Sequence, residues 1–317
     1  MKKLSILIAL AILTALPCGA AEKTLTILHT NDVHDTILPR NYSGHEVELI
    51  SAGGMAMRAA MIRDIRSSAK GPVLYLDAGD TFTRGKYSRF HGRPEFECMN
   101  IIGVDAMALG NNELKATAGV ESQSILADLI RHANFPVLAA NLTDPSGKLK
   151  HKRYTIIEKG GIRIGILGVT SDRSKTYPQC AGLVFSEPIE TARKTVAEMK
   201  GKYDFLIALT HIGYASDCQL AIAVPEIDVI VGGHSHTWLD VPTKFVSSKR
   251  KYAPWEIGGT LCVQDGEFGV KLGRLDLNLR SDTTGRYRIT SYSGKLVPVM
   301  NIRPAEDTEK ILEKYVK

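Results

Sequence analysis

Apolar runs typical of β-strands alternate with helical patterns through the first two-thirds of this 317-residue chain. The strand-like runs TLTILHTN, VLYLDAGD and FLIALTH are separated by helical segments such as GGMAMRAAMIRDIRSS and SQSILADLIRHA. This alternation favours an α/β domain in which helices pack on sheets. A hydrophobic content of 44% suffices for a large core, which argues against a disordered or fibrous chain.

The pattern changes from about Trp238 onward. Short strand-like segments such as TLCVQD, VKLGRLDLNL and RYRITSYS follow, and a helical pattern returns only in AEDTEKILEKYVK at the end. The apolar residues of that last segment recur at helical spacing and predict that one face of a helix packs on the protein; they are Ile311, Leu312, Tyr315 and Val316. The net charge of +6 comes from scattered basic residues, so the sequence does not indicate a nucleic-acid partner.

Successive strand-like runs end on side chains that can bind metal ions. The full set is Asp32, His34, Asp80, Asn111, His211, His234 and His236. Because an α/β sheet presents its site beyond the carboxyl ends of its strands, we expect these side chains to lie close together. Taken alone, His234 and His236 could be ordinary loop histidines, but the ordered set favours metal binding. Seven oxygen and nitrogen ligands exceed what one ion needs, so the sequence predicts two divalent ions, with zinc, manganese and iron as the candidates.

The N-terminus has the features of a secretory signal peptide. Two lysines precede an apolar stretch from Leu4 to Leu16, and small residues follow it, which predicts cleavage after Ala20 or Ala21. The stretch is short for a membrane span, and no other segment is apolar enough for one, so we expect a periplasmic or secreted protein. A lipoprotein anchored at Cys18 is the less favoured alternative. The four cysteines after the signal permit disulfides without specifying them.

The stretches ILHTNDVH, LDAGD, LGNNE, ANL, LTHIG and IDVIVGGHSH occur in this order between residues 24 and 279. They resemble the motifs of the metallophosphoesterase superfamily, and within it the N-terminal catalytic domain of periplasmic 5'-nucleotidases and UDP-sugar hydrolases. The resemblance implies a four-layer α/β/β/α sandwich, with two mixed β-sheets flanked by helices. It also implies a dinuclear metal-dependent phosphoesterase that hydrolyses a nucleotide or another small phosphate ester.

The resemblance assigns roles to the predicted ligands. One ion would be bound by Asp32, His34 and His236, the other by Asn111, His211 and His234, and Asp80 would bridge them. The chain would then comprise a signal peptide (1–21), a metallophosphoesterase domain (22–300) and a C-terminal helix (301–317) that resembles the linker to a nucleotide-specificity domain. Since that domain is absent from this chain, we expect little preference among nucleobases. We also expect a partner protein to dock on the exposed face of the helix, including Tyr315.

The segment LGNNELKA departs from the family pattern. The family usually has a histidine directly after the asparagine ligand and an aspartate three residues later, a dyad that assists the leaving oxygen. Asn112 and Lys115 stand at these positions, so we expect weakened general-acid catalysis. Two alternatives remain open: a metal-bearing binding or assembly protein without turnover, and a hydrolase of a different ester, such as a sulfur-containing one.

Overall fold

The computed structural model describes residues 21–44, 47–115, 122–239, 255–257 and 259–316. The predicted signal peptide lies outside these residues, apart from Ala21. Two six-stranded mixed sheets pack face to face, and helices cover the outer surface of each sheet. The predicted four-layer sandwich is therefore confirmed.

The strands and helices follow one another in the alternation that the sequence predicts. The strands are β1 (Glu22–Thr30), β2 (Arg40–Gly44), β3 (Val47–Ala52), β4 (Val73–Asp77), β5 (Ala106–Ala108), β6 (Val137–Leu138), β7 (Leu142–Thr143), β8 (Tyr154–Lys159), β9 (Ile162–Thr170), β10 (Val184–Phe185), β11 (Phe205–His211), β12 (Val229–Val231), β13 (Trp255–Ile257), β14 (Thr260–Val263), β15 (Lys271–Ser281) and β16 (Tyr287–Pro298). The α-helices are α1 (Met55–Ser68), α2 (Arg93–Ile102), α3 (Asn111–Lys115), α4 (Ser122–His132), α5 (Pro188–Met199), α6 (Tyr214–Ala223) and α7 (Glu306–Leu312).

Each of the two large sheets contains four consecutive parallel strands. The first sheet has the order β16-β15-β1-β4-β5-β6, and the second has the order β13-β14-β12-β11-β9-β8. Strands β1, β4, β5 and β6 run parallel to one another, as do β9, β11, β12 and β14. The carboxyl ends of neighbouring parallel strands lie on the same edge of a sheet, so each sheet brings its strand-end residues together there.

Alternation along the central strands builds three separate hydrophobic layers. In β4, Leu74 and Leu76 face the second sheet, whereas Tyr75 faces the helices outside the first sheet. In β11, Ile207 lies between the sheets, and Leu206 packs under α5 and α6. Successive strand side chains point to opposite faces, so a strand that is buried on both faces is apolar throughout. Each such side chain stabilises the fold by about 1.5–3 kcal/mol when fully buried.

Two predictions about the C-terminal third need correction. TLCVQD contains the short strand β14 of the second sheet, as predicted, but VKLGRLDLNL and RYRITSYS belong to a long antiparallel ribbon, in which β15 has 11 residues and β16 has 12. Hydrogen bonding of β15 to β1 extends this ribbon along the edge of the first sheet. The predicted terminal helix is present, and Ile311 and Leu312 pack in the same cluster as α1 and α2. Tyr315 is not on an exposed docking face, because its hydroxyl donates to Glu97 Oε1 at 2.7 Å and its ring packs edge-on against Phe90.

The four described cysteines are free thiols, and three of them are buried. The disulfides that the sequence permits are therefore not formed in this structure. None of the described helices is both long and apolar enough to cross a membrane.

Candidate metal centre

Five strands end at one edge of the sandwich, and their last residues or the segments just after them carry all seven predicted ligands. The first sheet contributes residues from the loops after β1, β4 and β5, namely Asp32, His34, Asp80 and Asn111. The second sheet contributes the last residue of β11 and the loop after β12, namely His211, His234 and His236. Most of these side chains are buried, and those of Asp32 and His211 are 0% exposed. The centre is thus built where the two sheets face each other.

The backbone at five of these positions adopts the left-handed conformation. The φ angles are 51° at Asp32, 48° at His34, 55° at Asp80, 78° at His234 and 51° at His236. Such angles are uncommon for residues with a side chain. Strained backbone of this kind persists where the surrounding structure holds it in place, and it clusters at functional sites.

One group of ligand atoms joins Asp32, His34 and His236. The Oδ1 atom of Asp32 lies 3.2 Å from His236 Nε2 and 3.7 Å from His34 Nε2. The two imidazole Nε2 atoms are themselves 3.2 Å apart. A carboxylate and two imidazoles therefore point at one small volume, which is the arrangement that a divalent ion requires.

A second group joins Asp32, Asp80 and His211. His211 Nε2 lies 3.3 Å from Asp80 Oδ2 and 3.9 Å from Asp32 Oδ1. The other ring nitrogen of His211 lies 2.7 Å from the carbonyl oxygen of Ala78, and this contact turns Nε2 towards the carboxylates. Beside this group, His234 Nδ1 lies 2.7 Å from Asn111 Oδ1.

The chemistry of these atoms fits divalent metal ions. Asp32 Oδ1 and His211 Nε2 are buried and lack a hydrogen-bond partner within the described part of the chain. Buried polar atoms are nearly always paired, so two unpaired atoms of opposite kinds in one cluster call for a ligand. Carboxylate, amide and imidazole donors together suit zinc, manganese or iron.

Opposing effects of burial and charge shift the pKa values of the cluster. Burial lowers the pKa of His211, but the carboxylates of Asp80 and Asp32 outweigh this and raise it to about 10. Burial likewise disfavours the charged form of His236, but the neighbouring carboxylates of Asp32 and Glu267 outweigh this and raise its pKa to about 9. Burial would raise the pKa of Asp80, but the His211 charge outweighs it and lowers that pKa. Carboxylates and imidazoles of the cluster therefore stabilise each other's charged forms.

Sequence reasoning missed three residues that hold the predicted ligands in place. Glu267 Oε2 lies 2.9 Å from His236 Nδ1, and Asn31 Nδ2 donates to Asp32 Oδ2 at 2.7 Å. Glu113 accepts hydrogen bonds from the backbone N–H groups of Asp80 and Thr81, at 2.9 Å and 2.8 Å. Asn31 directly precedes Asp32 in the sequence, and Glu113 lies two residues after Asn111. Their position beside predicted ligands could have identified them as residues that orient those ligands. Glu267 lies 31 positions after His236 and has no such signal.

Asn112 and Lys115, which the sequence analysis aligns with the family's dyad, make contacts of different kinds. Asn112 is buried, and both its backbone N–H and its side-chain Nδ2 donate to the carboxylate of Asp80 at 2.7 Å. The Nζ atom of Lys115 lies 3.8 Å from the centroid of the Tyr177 ring. Asn112 thus orients a predicted ligand, whereas Lys115 packs on an aromatic face.

Comparison with known proteins points to one family. The profile of the family described as calcineurin-like phosphoesterase matches residues 25–238. A 5'-nucleotidase of Vibrio vulnificus is 33% identical over 309 residues, which cover 88% of this chain and 53% of that protein. A snake venom 5'-nucleotidase of Gloydius brevicauda is 37% identical over 237 residues, 71% of this chain and 39% of that protein.

Among solved structures, a 5'-nucleotidase precursor from Thermus thermophilus superposes with a TM-score of 0.80 at 30% identity. The match covers 92% of this chain and 58% of the Thermus chain. The present chain therefore spans about half the length of its full-length bacterial relatives.

Proposed function

The chain belongs to the calcineurin-like phosphoesterase family, and from this premise we propose that it is a dinuclear metal-dependent hydrolase of small phosphate esters, similar to 5'-nucleotidases. The observation that carries the proposal is the pair of overlapping ligand groups that share Asp32. The relatives named as 5'-nucleotidases make a nucleotide the first substrate class to test.

We assign Asp32, His34 and His236 to one ion, and Asn111, His211 and His234 to the other, with Asp80 as the bridge. The family resemblance gives Asp80 the bridging role, and its Oδ2 atom lies 3.3 Å from His211 Nε2 of the second set. Bound divalent ions would polarise a phosphoryl oxygen and lower the pKa of a water molecule towards neutrality.

Around this centre, the protein's own residues act by fixing orientation. Asn112 and Glu113 hold the Asp80 carboxylate and backbone, and Asn31 and Glu267 hold Asp32 and His236. Outer hydrogen bonds of this kind fix the tautomer and direction of a ligand. Asn112 can donate a hydrogen bond but cannot deliver a proton at neutral pH. Protonation of the leaving oxygen is therefore expected to be weak, which slows esters with poor leaving groups most.

We further propose that residues 22–300 form the catalytic unit, that residues 301–317 are the counterpart of an interdomain linker, and that the protein is periplasmic or secreted. The packing of Ile311 and Leu312 into the core of the first sheet supports a fixed position for the terminal helix. Recognition of a nucleobase or of a partner protein would require contacts outside the candidate centre.

Restoration of the missing dyad tests the proposal. The purified chain with Mn²⁺ should hydrolyse p-nitrophenyl phosphate faster than AMP, because the nitrophenolate needs little protonation. The double variant Asn112→His and Lys115→Asp should raise the rate on AMP more than the rate on the activated ester, by up to the factor of about 10²–10⁴ that general-acid catalysis contributes. Elemental analysis of both proteins controls for the loss of the Asn112 contact to Asp80.

The contrary outcomes are distinct. Rapid hydrolysis of AMP by the unmodified chain would show that another residue supplies the proton. Asn112 and Lys115 cannot act as the histidine–aspartate pair of the family. This favours one alternative, a metal-bearing protein without turnover. That alternative predicts bound metal with no hydrolysis of any phosphate or sulfur-containing ester in a broad panel.

A further inference from the structure

A cavity of about 240 Å³ opens beside the candidate centre, on the side of the second sheet. Its wall is formed mainly by three segments, namely the residues after β9, the start of α6 and the loop that carries His234. His234 belongs both to this wall and to the candidate centre, so a molecule in the cavity lies directly beside the centre. The volume is below the roughly 300–1,000 Å³ of pockets that enclose drug-sized ligands, so the cavity suits one small fragment.

The part of the wall next to His234 is held in place by contacts between α6 and the metal-ligand loop. Gly213, which precedes α6, has a left-handed φ of 86°, and a Cβ there would lie 3.5 Å from His234 Cδ2. The N–H of Tyr214 donates to Ser235 Oγ at 3.0 Å. That hydroxyl donates in turn to Oε1 of the buried Gln264 at 3.1 Å. The start of α6 and the loop therefore form one continuous surface.

Several polar side chains of the wall are free to contact a ligand. Ser171 is only 5% exposed, yet its hydroxyl has no hydrogen-bond partner among the residues that the structure describes. The hydroxyl of Ser216 and the guanidinium of Arg173 likewise lack a partner within those residues. Asp172 also lines the cavity, and its Oδ2 accepts from Lys175 Nζ at 3.1 Å. Because buried polar groups are nearly always paired, the hydroxyl of Ser171 in particular calls for a ligand in the cavity.

These groups combine donors with acceptors. A guanidinium only donates hydrogen bonds, an ionised carboxylate only accepts them, and a serine hydroxyl does both. A second anionic group of a ligand would accept from Arg173 but would meet the like charge of Asp172. The hydroxyls of an alcohol donate and accept, so they match both kinds of side chain. Pro188 and Ile212 add apolar surface to the wall, against which the carbon atoms of such an alcohol can pack.

We propose that this cavity binds the alcohol part of the ester, and that this alcohol is a small polyhydroxylated one, as in a sugar phosphate. The inference rests on the proposed phosphoesterase function and names its substrate class. A nucleotide carries such an alcohol as its ribose, but a cavity of this size has room for the sugar alone. The base would then remain outside and add little affinity.

The test compares ribose 5-phosphate with cyclopentylmethyl phosphate, which has a five-membered ring and the same linkage to phosphate but no hydroxyls. Because slow hydrolysis of unactivated esters is expected, affinity is measured as inhibition of p-nitrophenyl phosphate hydrolysis by the full chain with Mn²⁺. The inhibition constant of ribose 5-phosphate should be about tenfold lower, the factor that a few hydrogen bonds contribute. The inhibition constant of AMP should lie within about twofold of that of ribose 5-phosphate.

Variants of the wall connect this difference to the cavity. Ser171→Ala and Arg173→Ala should each raise the inhibition constant of ribose 5-phosphate about five- to tenfold and that of cyclopentylmethyl phosphate less than about twofold. Arg303→Ala is the matched control and should change neither, since Arg303 is an exposed arginine outside the wall and also lacks a partner among the described residues. The melting temperature of Ser171→Ala should not fall, because the change removes an unpaired hydroxyl.

The contrary results separate the two levels of the proposal. Equal inhibition of the unmodified chain by both ring compounds, or equal changes for both in the variants, would overturn the inference and leave the phosphoesterase function standing. Inhibition by AMP more than about tenfold stronger than by ribose 5-phosphate would also overturn it, because the base would then be bound as well. Absence of p-nitrophenyl phosphate hydrolysis by the unmodified chain would instead overturn the proposed function, and the inference with it.

Discussion

The two sheets contribute unlike halves to the centre. The first sheet supplies both carboxylates, the amide and one imidazole, whereas the second supplies only imidazoles, from His211, His234 and His236. The first-sheet ligands are fixed to one another, because backbone N–H groups of Asp32 and His34 donate to the carbonyl oxygens of Gly79 and Asp80. We call this half the platform, because backbone hydrogen bonds between adjacent loops of one sheet hold its ligands together.

Two histidines of the second sheet, His211 and His234, are hydrogen-bonded to that platform. His211 Nδ1 contacts the carbonyl oxygen of Ala78 at 2.7 Å, and the N–H of His234 donates to Asp32 Oδ2 at 2.8 Å. The platform can therefore form when the first sheet folds, but the complete centre requires the two sheets to pack. We therefore expect the affinity for metal to fall when the packing between the two sheets is loosened.

The largest effect is expected at Asp80, on the platform. Asp80→Asn should lose both ions and lower activity by more than about 100-fold, because the proposed bridge serves both ligand sets. His211→Ala, on the docked half, should mainly weaken one ion. Elemental analysis after dialysis against Mn²⁺ measures both, and an Asp80→Asn protein that retains two ions would break the assignment of the bridge.

A second comparison uses neighbouring residues of β11. Ile207 lies between the sheets and Leu206 lies under the outer helices, and both are 0% exposed. Each substitution by alanine should lower the free energy of unfolding by about 2–5 kcal/mol. Only Ile207→Ala should also weaken Mn²⁺ binding, because it loosens the contact that docks His211 on the platform. Similar Mn²⁺ affinities in two equally destabilised variants would show that the sheet interface does not control the centre.

The smallest effect concerns Asp217, a buried acid of α6 on the second sheet's side. Its Oδ1 accepts a hydrogen bond from Thr210 at 2.6 Å, and burial raises its pKa to about 7. The folded chain therefore binds this proton more tightly than the unfolded chain, in which the pKa is about 3.9. The stability due to this proton is present at low pH and is lost as pH rises from about 4 to 7.

Asp217→Asn should therefore become more stable than the unmodified chain as pH rises through this range, by about 1–3 kcal/mol at pH 8. Urea unfolding in the presence of a chelator measures this difference without a contribution from metal. Asp64→Asn, on the exposed face of α1, serves as the control. A difference between Asp217→Asn and the unmodified chain that stays constant between pH 4 and 8 would contradict the assigned pKa.

The sequence alone was sufficient for the fold class and for the set of candidate ligands. Strand alternation, glycine at strand ends and the order of Asp32, Asp80, Asn111 and His211 are local signals, and local geometry turns each into a side chain at the same edge of a sheet. The order of these signals along the chain also identified the family. The length of β16 was underestimated, because most of its outward-facing residues are polar and resemble those of a loop.

Only the tertiary structure decided which groups meet. Asn31 and Asp265 exchange hydrogen bonds across 234 positions, Glu267 meets His236 across 31 positions, and the Arg40 guanidinium stacks on Phe268, whose ring packs against His34. Tyr315, whose helical spacing was visible in the sequence, turned inward for the same reason. Propensity and periodicity act over a few residues, whereas such contacts depend on how two sheets and their helices pack. Short stretches of the sequence therefore determine which ligand side chains are present. The packing of segments that are distant in the sequence determines how those side chains are oriented and which charges surround them.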